Sequence, residues 1–385
     1  MIEGIFKGSR KYWLLINGLL VLIVVGLIAY LRQWDQGLTI TGLSRDVSWG
    51  LYIANFTFFV GVAASAVMLI IPYYLHNEKE FRKIIILGEF LAVAAVIVSI
   101  TFVVVDLGQP ARVFNILLYP SPSSILFWDL IVLTVYLLLN IIIGWVTLDA
   151  EYKEIEPPKW IKPLIIVSIP WAISIHTVTA FIYAGLGARP FWMTALLAPR
   201  FLASAFASGP ALLILLALLM KKWGGFDPVN QSIDKVAKIV AYAIIATVFF
   251  LLLEIFTVFY SQVPDAMSHF QYLLFGLDGY YSLVPWMWTS IILACASIVL
   301  LVIPRTRTNQ NILAIACAAV FVSIWIDKGL GLIVPGFIPT PTGEIFEYMP
   351  TLLESLIVLG VWAMGALILT LLYKVVLSVR HGITD

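Results

Sequence analysis

The chain has 385 residues, of which 62% are hydrophobic and only 12% are charged. A soluble domain of average composition carries about twice that charged fraction, so this composition excludes a water-soluble globular protein and indicates a chain folded in lipid. The formal net charge of +1 specifies no partner beyond the lipid bilayer, and no nucleic-acid partner is expected. Both cysteines, Cys295 and Cys317, lie in apolar runs, which favours packing over a disulfide, a zinc site or an Fe–S cluster.

Ten apolar segments are each long enough to cross a bilayer as an α-helix, which takes roughly 20 residues. The first follows a short basic segment and lacks a signal-peptide cleavage motif, so we interpret it as a transmembrane helix. The sequence therefore predicts an all-α polytopic membrane protein that forms one domain over residues 1–385. Its predicted spans are 12–31, 50–75, 84–107, 124–146, 164–186, 200–220, 236–260, 285–303, 311–334 and 351–377.

Basic residues are distributed unevenly between the two sides of these spans. Of the 23 Lys and Arg residues, all but six lie on the side that holds both termini; the six are Arg32, Arg45, Arg112, Arg189, Arg200 and Lys328. Basic residues concentrate on the cytoplasmic side of membrane proteins. This predicts a protein of the cytoplasmic membrane with both termini in the cytoplasm. The opposite loops are rich in Pro, Gly and aromatic residues and suit the docking of a partner.

Short motifs recur at an offset of four helices. Gly185-Leu-Gly187 ends the fifth predicted helix, and Gly329-Leu-Gly331 lies near the end of the ninth. Small residues four positions apart, which let membrane helices approach closely, occur in the second and sixth helices. The pattern predicts two four-helix bundles, helices 2–5 and 6–9, flanked by helices 1 and 10. Chance matches in apolar sequence are the alternative interpretation.

Polar side chains inside the spans are the second signal. A charge at the centre of a membrane helix costs about 2.5–3.5 kcal/mol, so each one requires a partner or a function. Most of these residues fall in the outer third of the predicted spans, whereas His176 is near the midplane and Glu89 is near the cytoplasmic end. The set is Asn55, Glu89, Asp106, Asp129, Asn140, His176, Glu254, Asp327, Lys328 and Glu354.

The fourth predicted helix carries Asp129, Tyr136 and Asn140 at positions i, i+7 and i+11, which share one helical face. With Glu89, this face predicts a proton route from the cytoplasmic half towards the outer side. The alternative is a set of interhelical hydrogen bonds that fix packing, each worth about 0.6 kcal/mol.

His176 has three interpretations. It is a structural histidine bonded between helices, a haem ligand, or a residue that contacts a ligand or moves a proton. Haem is disfavoured because the remaining histidines, His76, His269 and His381, all lie in loops or tails. Thr179 and Tyr183 follow on the same face at i+3 and i+7. An imidazole exchanges protons near neutral pH, as the chemistry of a quinone oxygen requires.

Simpler interpretations exist for four other charged residues. Asp327 and Lys328 fit an adjacent interfacial pair that faces outward. Arg112 and Arg189 fit interfacial anchors, paired with Asp106 or Asp129.

Three motifs resemble the NrfD/polysulfide-reductase membrane-subunit family. They are the stretch from Trp49 to Ala66, Asp106-Leu-Gly-Gln-Pro-Ala-Arg112, and the stretch from His176 to Trp192. The resemblance covers nearly the whole chain. Two C-terminal motifs, 325–331 and 337–344, are most similar to the DsrP/HmeB-type subunits of sulfate-reducer redox complexes.

The resemblance implies a haem-free membrane subunit of a menaquinol-linked oxidoreductase of anaerobic respiration, one that is not catalytic alone. It would exchange electrons between menaquinone and an external ferredoxin-like subunit with 4Fe–4S clusters. A multihaem cytochrome c and other membrane and cytoplasmic redox subunits would complete the complex. The implied quinone-binding residues are His176, Asp129, Tyr183, Asn55 and Glu354. The implied supporting polar cluster is Asp106, Arg112, Arg189, Glu254 and Asp327.

The resemblance leaves open whether protons cross through Glu89, Tyr136 and Asn140. Two other functions also remain. A structural anchor for redox subunits would need no quinone site. A secondary transporter would show helices broken at corresponding places in its two halves, whereas Pro210 is the one proline that the predicted boundaries place well inside a span.

Overall fold

A computed structural model describes residues 2–70, 81–224 and 230–382. Within these ranges, ten helices are long and apolar enough to cross a membrane, which confirms the predicted number and the all-α class. We number them α1 to α10: Arg10–Gln36, Leu51–Ile70, Ile84–Asp106, Ile125–Tyr152, Ile161–Ala184, Leu197–Lys222, Ser232–Tyr260, Val284–Val302, Gln310–Gly336 and Leu352–Arg380. Residues 71–75 of the second predicted span lie outside the described residues, as does His76.

The helices pack as two rings of four. In the first bundle α2 contacts α3, α3 contacts α4, α4 contacts α5, and α5 returns to α2. In the second, α6 contacts α7, α7 contacts α8, α8 contacts α9, and α9 returns to α6. The remaining pair, α1 and α10, pack on each other, and α10 lies against α3. The predicted two-bundle arrangement is thus the observed one.

Glycines set the closest contacts between these groups of helices. Where α2 meets α6, a Cβ added to Gly209 would lie 2.8 Å from the carbonyl oxygen of Val62. Where α1 meets α10, a Cβ on Gly26 would lie 2.6 Å from the Cα of Gly360. Both distances are shorter than van der Waals contact, so the backbones can approach this closely only because a side chain is missing.

Four helices depart from regular α-geometry. A 3-10 turn over Ala63–Ser65 interrupts α2, and a π-helical turn over Trp325–Leu330 interrupts α9. Pro210 lies inside α6 as predicted, but Pro170 also lies inside α5, nine residues after that helix begins at Ile161. Under the four-helix offset α2 corresponds to α6 and α5 to α9, so each interrupted helix in one bundle corresponds to a proline-containing helix in the other.

An aromatic cap, formed by Trp49, Tyr183, Trp192 and Phe337, closes the first bundle towards the outer loops. The ring of Trp49 lies 5.7 Å from those of Tyr183 and Phe337 and 5.9 Å from that of Trp192. The indole Nε1 of Trp192 donates to the carbonyl of Leu332 at 2.8 Å. The cap therefore joins the outer ends of α2, α5 and α9.

Candidate functional site

His176 lies on α5 in the interior of the protein and is completely buried. Neither of its ring nitrogens has a hydrogen-bond partner among the described residues. A neutral imidazole always has one N–H donor and one acceptor nitrogen, and leaving both unpaired in a buried place is costly. The structural interpretation, a histidine bonded between helices, therefore lacks the bonds it needs. The position suits a histidine that hydrogen-bonds a bound molecule.

Asp129 meets the same face of α5 one turn further out. The hydroxyl oxygen of Thr179 lies 2.6 Å from Asp129 Oδ1 and 2.7 Å from the carbonyl oxygen of Ile175, and these two acceptors share its single proton. Asp129 is 5% exposed, so the carboxyl is nearly removed from solvent. The structure thus brings α4 and α5 together through a polar contact directly beyond His176.

Tyr183 ends this polar stripe at the aromatic cap. Its hydroxyl forms a short hydrogen bond with the hydroxyl of Thr57 on α2, and its ring lies 6.0 Å from that of Phe201 on α6. His176, Thr179 and Tyr183 therefore form the outward-leading stripe that their spacing predicts. We call His176, Asp129, Thr179 and Tyr183 the polar stripe.

Asn55 is buried on α2 but is fully engaged by tryptophans. Its Oδ1 accepts from the indole of Trp325 at 3.0 Å and from that of Trp362 at 2.9 Å, while its Nδ2 donates to Leu51. These bonds tie α2 to α9 and α10. The quinone-binding role of Asn55 stays a prediction, and its observed bonds stabilise helix packing.

Glu354 is completely buried at the outer end of α10, and both oxygens accept hydrogen bonds from the protein. Oε1 accepts from the hydroxyl of Tyr348 at 2.8 Å. Oε2 accepts from the backbone N–H of Gly42 at 2.7 Å and of Thr351 at 2.8 Å. Its bonds thus hold two outer loops together, and its place in the quinone pocket stays a prediction.

Asp106 lies at the outer end of α3 with one buried oxygen that has no partner among the described residues. Arg112 is exposed six positions later, and no ion pair joins the two in the part of the chain that the structure describes. The predicted Asp106–Arg112 pair is not formed. The chain turns away after α3, through a 3-10 turn over Pro110–Arg112 that leaves Arg112 facing solvent.

Glu254 and Asp327 belong to a separate centre in the second bundle. Arg200, on α6, donates through Nη1 to Glu254 Oε2 and through Nη2 to Asp327 Oδ1, both at 2.6 Å. All three side chains are nearly buried, with exposures of 6–8%. The sequence pattern puts Arg200 among the outer-side charges, whereas the structure places it inside the bundle. We call these three residues the arginine centre.

Lys328 does not face outward, which contradicts the interfacial interpretation of Asp327 and Lys328. Both lie in the π-helical turn and both are buried, at 6% and 3% exposure. Asp327 contacts Arg200, whereas the ammonium of Lys328 lies 4.2 Å from the centre of the Phe201 ring. Two adjacent charges are thus directed to different partners inside the protein.

Glu89, Tyr136 and Asn140 lie on the facing sides of α3 and α4. Both carboxylate oxygens of Glu89 are buried without a partner among the described residues. Tyr136 donates to the carbonyl of Ala63, in the interrupted turn of α2, at 3.1 Å. Asn140 donates to the carbonyl of Tyr136 at 2.7 Å. Asp129, Tyr136 and Asn140 are all buried, which confirms that they share an inward face of α4.

Arg189 lies in an outer cleft of about 390 Å³ between three outer loops. Its guanidinium lies 4.5 Å from the centre of the Phe337 ring, and burial lowers its pKa. His269, from the short helix Pro264–Leu274, faces the same cleft, and its Nδ1 donates to the carbonyls of Pro335 and Ile338 at 2.7 and 2.8 Å. Burial lowers the pKa of His269 as well. The cleft is a candidate docking surface directly above the aromatic cap.

Sequence reasoning misses the roles of Arg200, Lys328, Thr57 and Tyr348. One signal is available for the first two: Glu254 and Asp327 lie inside predicted spans, and a charge inside the membrane requires a partner or a function. The partners nevertheless come from helices far apart in the sequence, so their pairing cannot be assigned from spacing.

Comparison with known protein families identifies the family of this chain. Residues 39–338 match the family model described as polysulphide reductase, NrfD. The chain belongs to the NrfD family.

Relatives of this NrfD protein are subunits of redox enzymes, and the names of two of them specify an integral membrane subunit. It is 24% identical to the Hdr-like menaquinol oxidoreductase integral membrane subunit of Archaeoglobus fulgidus, over 95% of this chain and 93% of the relative. A menaquinone reductase integral membrane subunit of Nitratidesulfovibrio vulgaris is 23% identical over 91% of this chain and 87% of the relative. A selenate reductase subunit of Mesobacillus selenatarsenatis is 24% identical over 86% of each chain. A role in sulfate reduction stays a prediction.

Proposed function

We propose that this NrfD-family chain binds menaquinone at the polar stripe and exchanges electrons between that quinone and an Fe–S subunit docked on its outer face. It acts as one subunit of an oxidoreductase complex, which a multihaem cytochrome c and further membrane and cytoplasmic subunits complete. Two relatives whose names include menaquinol or menaquinone support the choice of quinone.

The observation that carries the proposal is the unpartnered, fully buried imidazole of His176. A quinone carbonyl accepts a hydrogen bond, and a quinol hydroxyl donates one. An imidazole matches both forms, because each ring nitrogen can donate or accept according to its protonation. Asp129 and Thr179 lie on the outer side of His176 and offer a carboxyl to receive a proton. Oxidation of one quinol releases two electrons, which pass to the Fe–S partner, and two protons.

The aromatic cap supports electron exchange between the polar stripe and the outer face. Its rings connect the polar stripe, through Tyr183, to Phe337 and Arg189 in the outer cleft. An Fe–S subunit bound over the cleft would therefore be separated from the quinone by packed aromatic side chains. Cytoplasmic termini and the cytoplasmic membrane, as the basic residues indicate, put this face outside the cell membrane.

The test is quinone binding by the purified complex. His176→Ala should weaken binding of a naphthoquinone analogue about 10- to 100-fold, because it removes one hydrogen-bonding group from a buried site. Thr177→Val is the matched control, since Thr177 is only partly buried on the same helix and its hydroxyl donates to the carbonyl of Ile173 one turn back. Fluorescence quenching titrations measure both.

The outcomes separate the candidate functions. Stoichiometric menaquinone extracted from the wild-type complex supports a quinone site. A complex that neither retains menaquinone nor binds the analogue contradicts it and favours a structural anchor. Equal affinity of His176→Ala and wild type would return His176 to a packing role.

We also propose that Glu89, Tyr136 and Asn140 carry protons between the cytoplasmic side and the quinone site. Asp129 and Asn140 are about 16 Å apart along α4, so the face they share spans about half of the membrane. Glu89, whose carboxyl has no partner among the described residues, lies at the cytoplasmic end of this face.

A further inference from the structure

Lys328 is a buried cation without an anion. Within the described ranges it belongs to no ion pair, although the adjacent Asp327 is paired with Arg200. Its exposure is 3%. A buried charge is strongly unfavourable unless it is paired and hydrogen-bonded. The arginine centre has one cation and two carboxylates, yet Lys328 takes neither of them.

The ammonium is also short of hydrogen bonds. It has three N–H donors, and its hydrogen bond among the described residues is a long one, 3.4 Å to the carbonyl of Phe201. The Phe201 ring, 4.2 Å away, supplies a weak cation–π contact. These contacts position the side chain without neutralising its charge.

The surroundings of Lys328 hold further unpartnered polar atoms. A Cβ added to Gly61 would lie 3.1 Å from Lys328 Nζ and 3.5 Å from the hydroxyl of Ser208. The Ser208 hydroxyl is buried without a partner among the described residues, as is the His176 imidazole. Lys328 is close enough for its charge to act on His176. Polar atoms of α6 and α9 therefore converge beside Gly61 of α2, where the two bundles meet, and the unpartnered His176 of α5 interacts with the Lys328 charge from the first bundle.

We propose that Lys328 is a second quinone-contacting residue, so that the site lies between the bundles, with His176 on one wall and the Lys328 ammonium on the other. This inference rests on the proposed function. A quinone that has gained two electrons carries negative charge on its oxygens until two protons arrive. The reduced quinone would therefore supply the negatively charged partner that Lys328 lacks among the described residues. The π-helical turn makes the arrangement possible, because it directs Asp327 to Arg200 and Lys328 to the bundle junction.

The inference gives Lys328 a different role from His176. The imidazole can donate or accept through either ring nitrogen, whereas the Lys328 side chain can only donate when it is an ammonium, and a negatively charged quinone oxygen favours that charged form. An ammonium stabilises the anionic reduced quinone more than the neutral oxidised one. Lys328 should therefore raise the reduction potential of the bound quinone.

The experiment uses the purified complex and a naphthoquinone analogue in both redox states. Lys328→Met should weaken binding of the reduced form about 10- to 100-fold, the effect of losing one charge-assisted hydrogen bond. Binding of the oxidised form should fall less, and the potential of the bound analogue should shift to lower values. Lys238→Met is the control, because Lys238 is a half-exposed lysine paired with Asp234 at 2.9 Å.

Gly61→Ala tests the same inference without changing a charge. The added methyl would meet Lys328 Nζ at 3.1 Å and displace the ammonium, so this variant should weaken the reduced form in the same direction. If Lys328→Met fails to fold, Gly61→Ala carries the test.

The results distinguish the two proposals. If wild type and Lys238→Met bind no analogue, the proposed quinone function fails. If both bind it, while Lys328→Met and Gly61→Ala bind both redox forms as wild type does, only the Lys328 contact fails. An equal loss for both redox forms would show a structural role and would also overturn the contact.

Discussion

At the outer surface, the buried imidazole of His269 holds two backbone carbonyls of one loop through a single ring N–H. Its exposure is 4%, and burial lowers its pKa, although the two carbonyl bonds oppose that effect. Arg189, which disfavours protonation, and Asp265, which favours it, are the charged groups that act on it. The folded protein therefore favours the neutral form more strongly than the unfolded chain does.

This gives stability a defined pH dependence. Below about pH 6.5, the unfolded chain binds a proton at this position and the folded chain resists it, so stability falls as the pH falls. The slope from this one group is at most about 1.4 kcal/mol per pH unit. His269→Asn retains an N–H donor but does not titrate, so its thermal midpoint should depend less on pH between about 7 and 5. Identical pH dependence in the two proteins would contradict the prediction.

Glu354 and His176 show opposite uses of a buried polar residue. Every oxygen of Glu354 accepts a bond from the protein, whereas neither nitrogen of His176 has a described partner. In the sequence, both are polar residues within membrane spans, where burial costs free energy. The family resemblance then implies that both bind quinone. Only the positions of Tyr348 and Gly42, contributed by loops, distinguish the satisfied residue from the unsatisfied one.

Among the helices, the crossing of α2 and α6 offers the sharpest test of packing. A Cβ on Gly209 would lie 2.8 Å from the Val62 oxygen and 2.9 Å from the Ser65 nitrogen, both backbone atoms. Gly209→Ala must therefore separate the helices, at a typical cost of about 1–3 kcal/mol. The thermal midpoint of the purified protein in detergent should fall.

Gly18→Ala is the matched control on α1. A Cβ there would have no neighbour within 4 Å, so only the intrinsic gain of about 0.5–1 kcal/mol for alanine in a helix applies. The two substitutions are chemically identical and should change the midpoint in opposite directions. A Gly209→Ala protein as stable as wild type would show that the bundle junction is looser than described.

The same elements show what a sequence reveals about such a protein. Hydropathy identifies all ten helices, because the membrane imposes their length and composition. It does not reveal the π-helical turn in α9, because that turn has no compositional signal. Without knowledge of the turn, Asp327 and Lys328 look like one outward pair. The polar stripe is largely predictable because three of its residues share one helix, whereas the arginine centre joins three helices and is not.

For the whole molecule, the proposed proton route predicts a separation of two activities. Glu89→Gln removes the buried carboxyl at the cytoplasmic end of the route but leaves the quinone site intact. In proteoliposomes containing the complex, proton movement per electron should fall by about tenfold, while electron transfer with an uncoupler stays close to wild type. Glu156→Gln, an exposed residue between α4 and α5, is the control. Unchanged proton movement per electron in Glu89→Gln would show that Glu89 is not part of the proton route.

The contact of Gly26 with Gly360 has a consequence for biogenesis. Of the ten helices, α1 is synthesised first and α10 last, so the seam between them can close only after the other eight have been made. Until then, the face of α1 around Gly26 and the surface of α3 that α10 covers are both in contact with lipid or with insertion factors. The helix that covers α3 on the outside of the first bundle is therefore the last of the ten to leave the ribosome. Quality control of this protein in the cell should consequently depend on whether translation reaches α10.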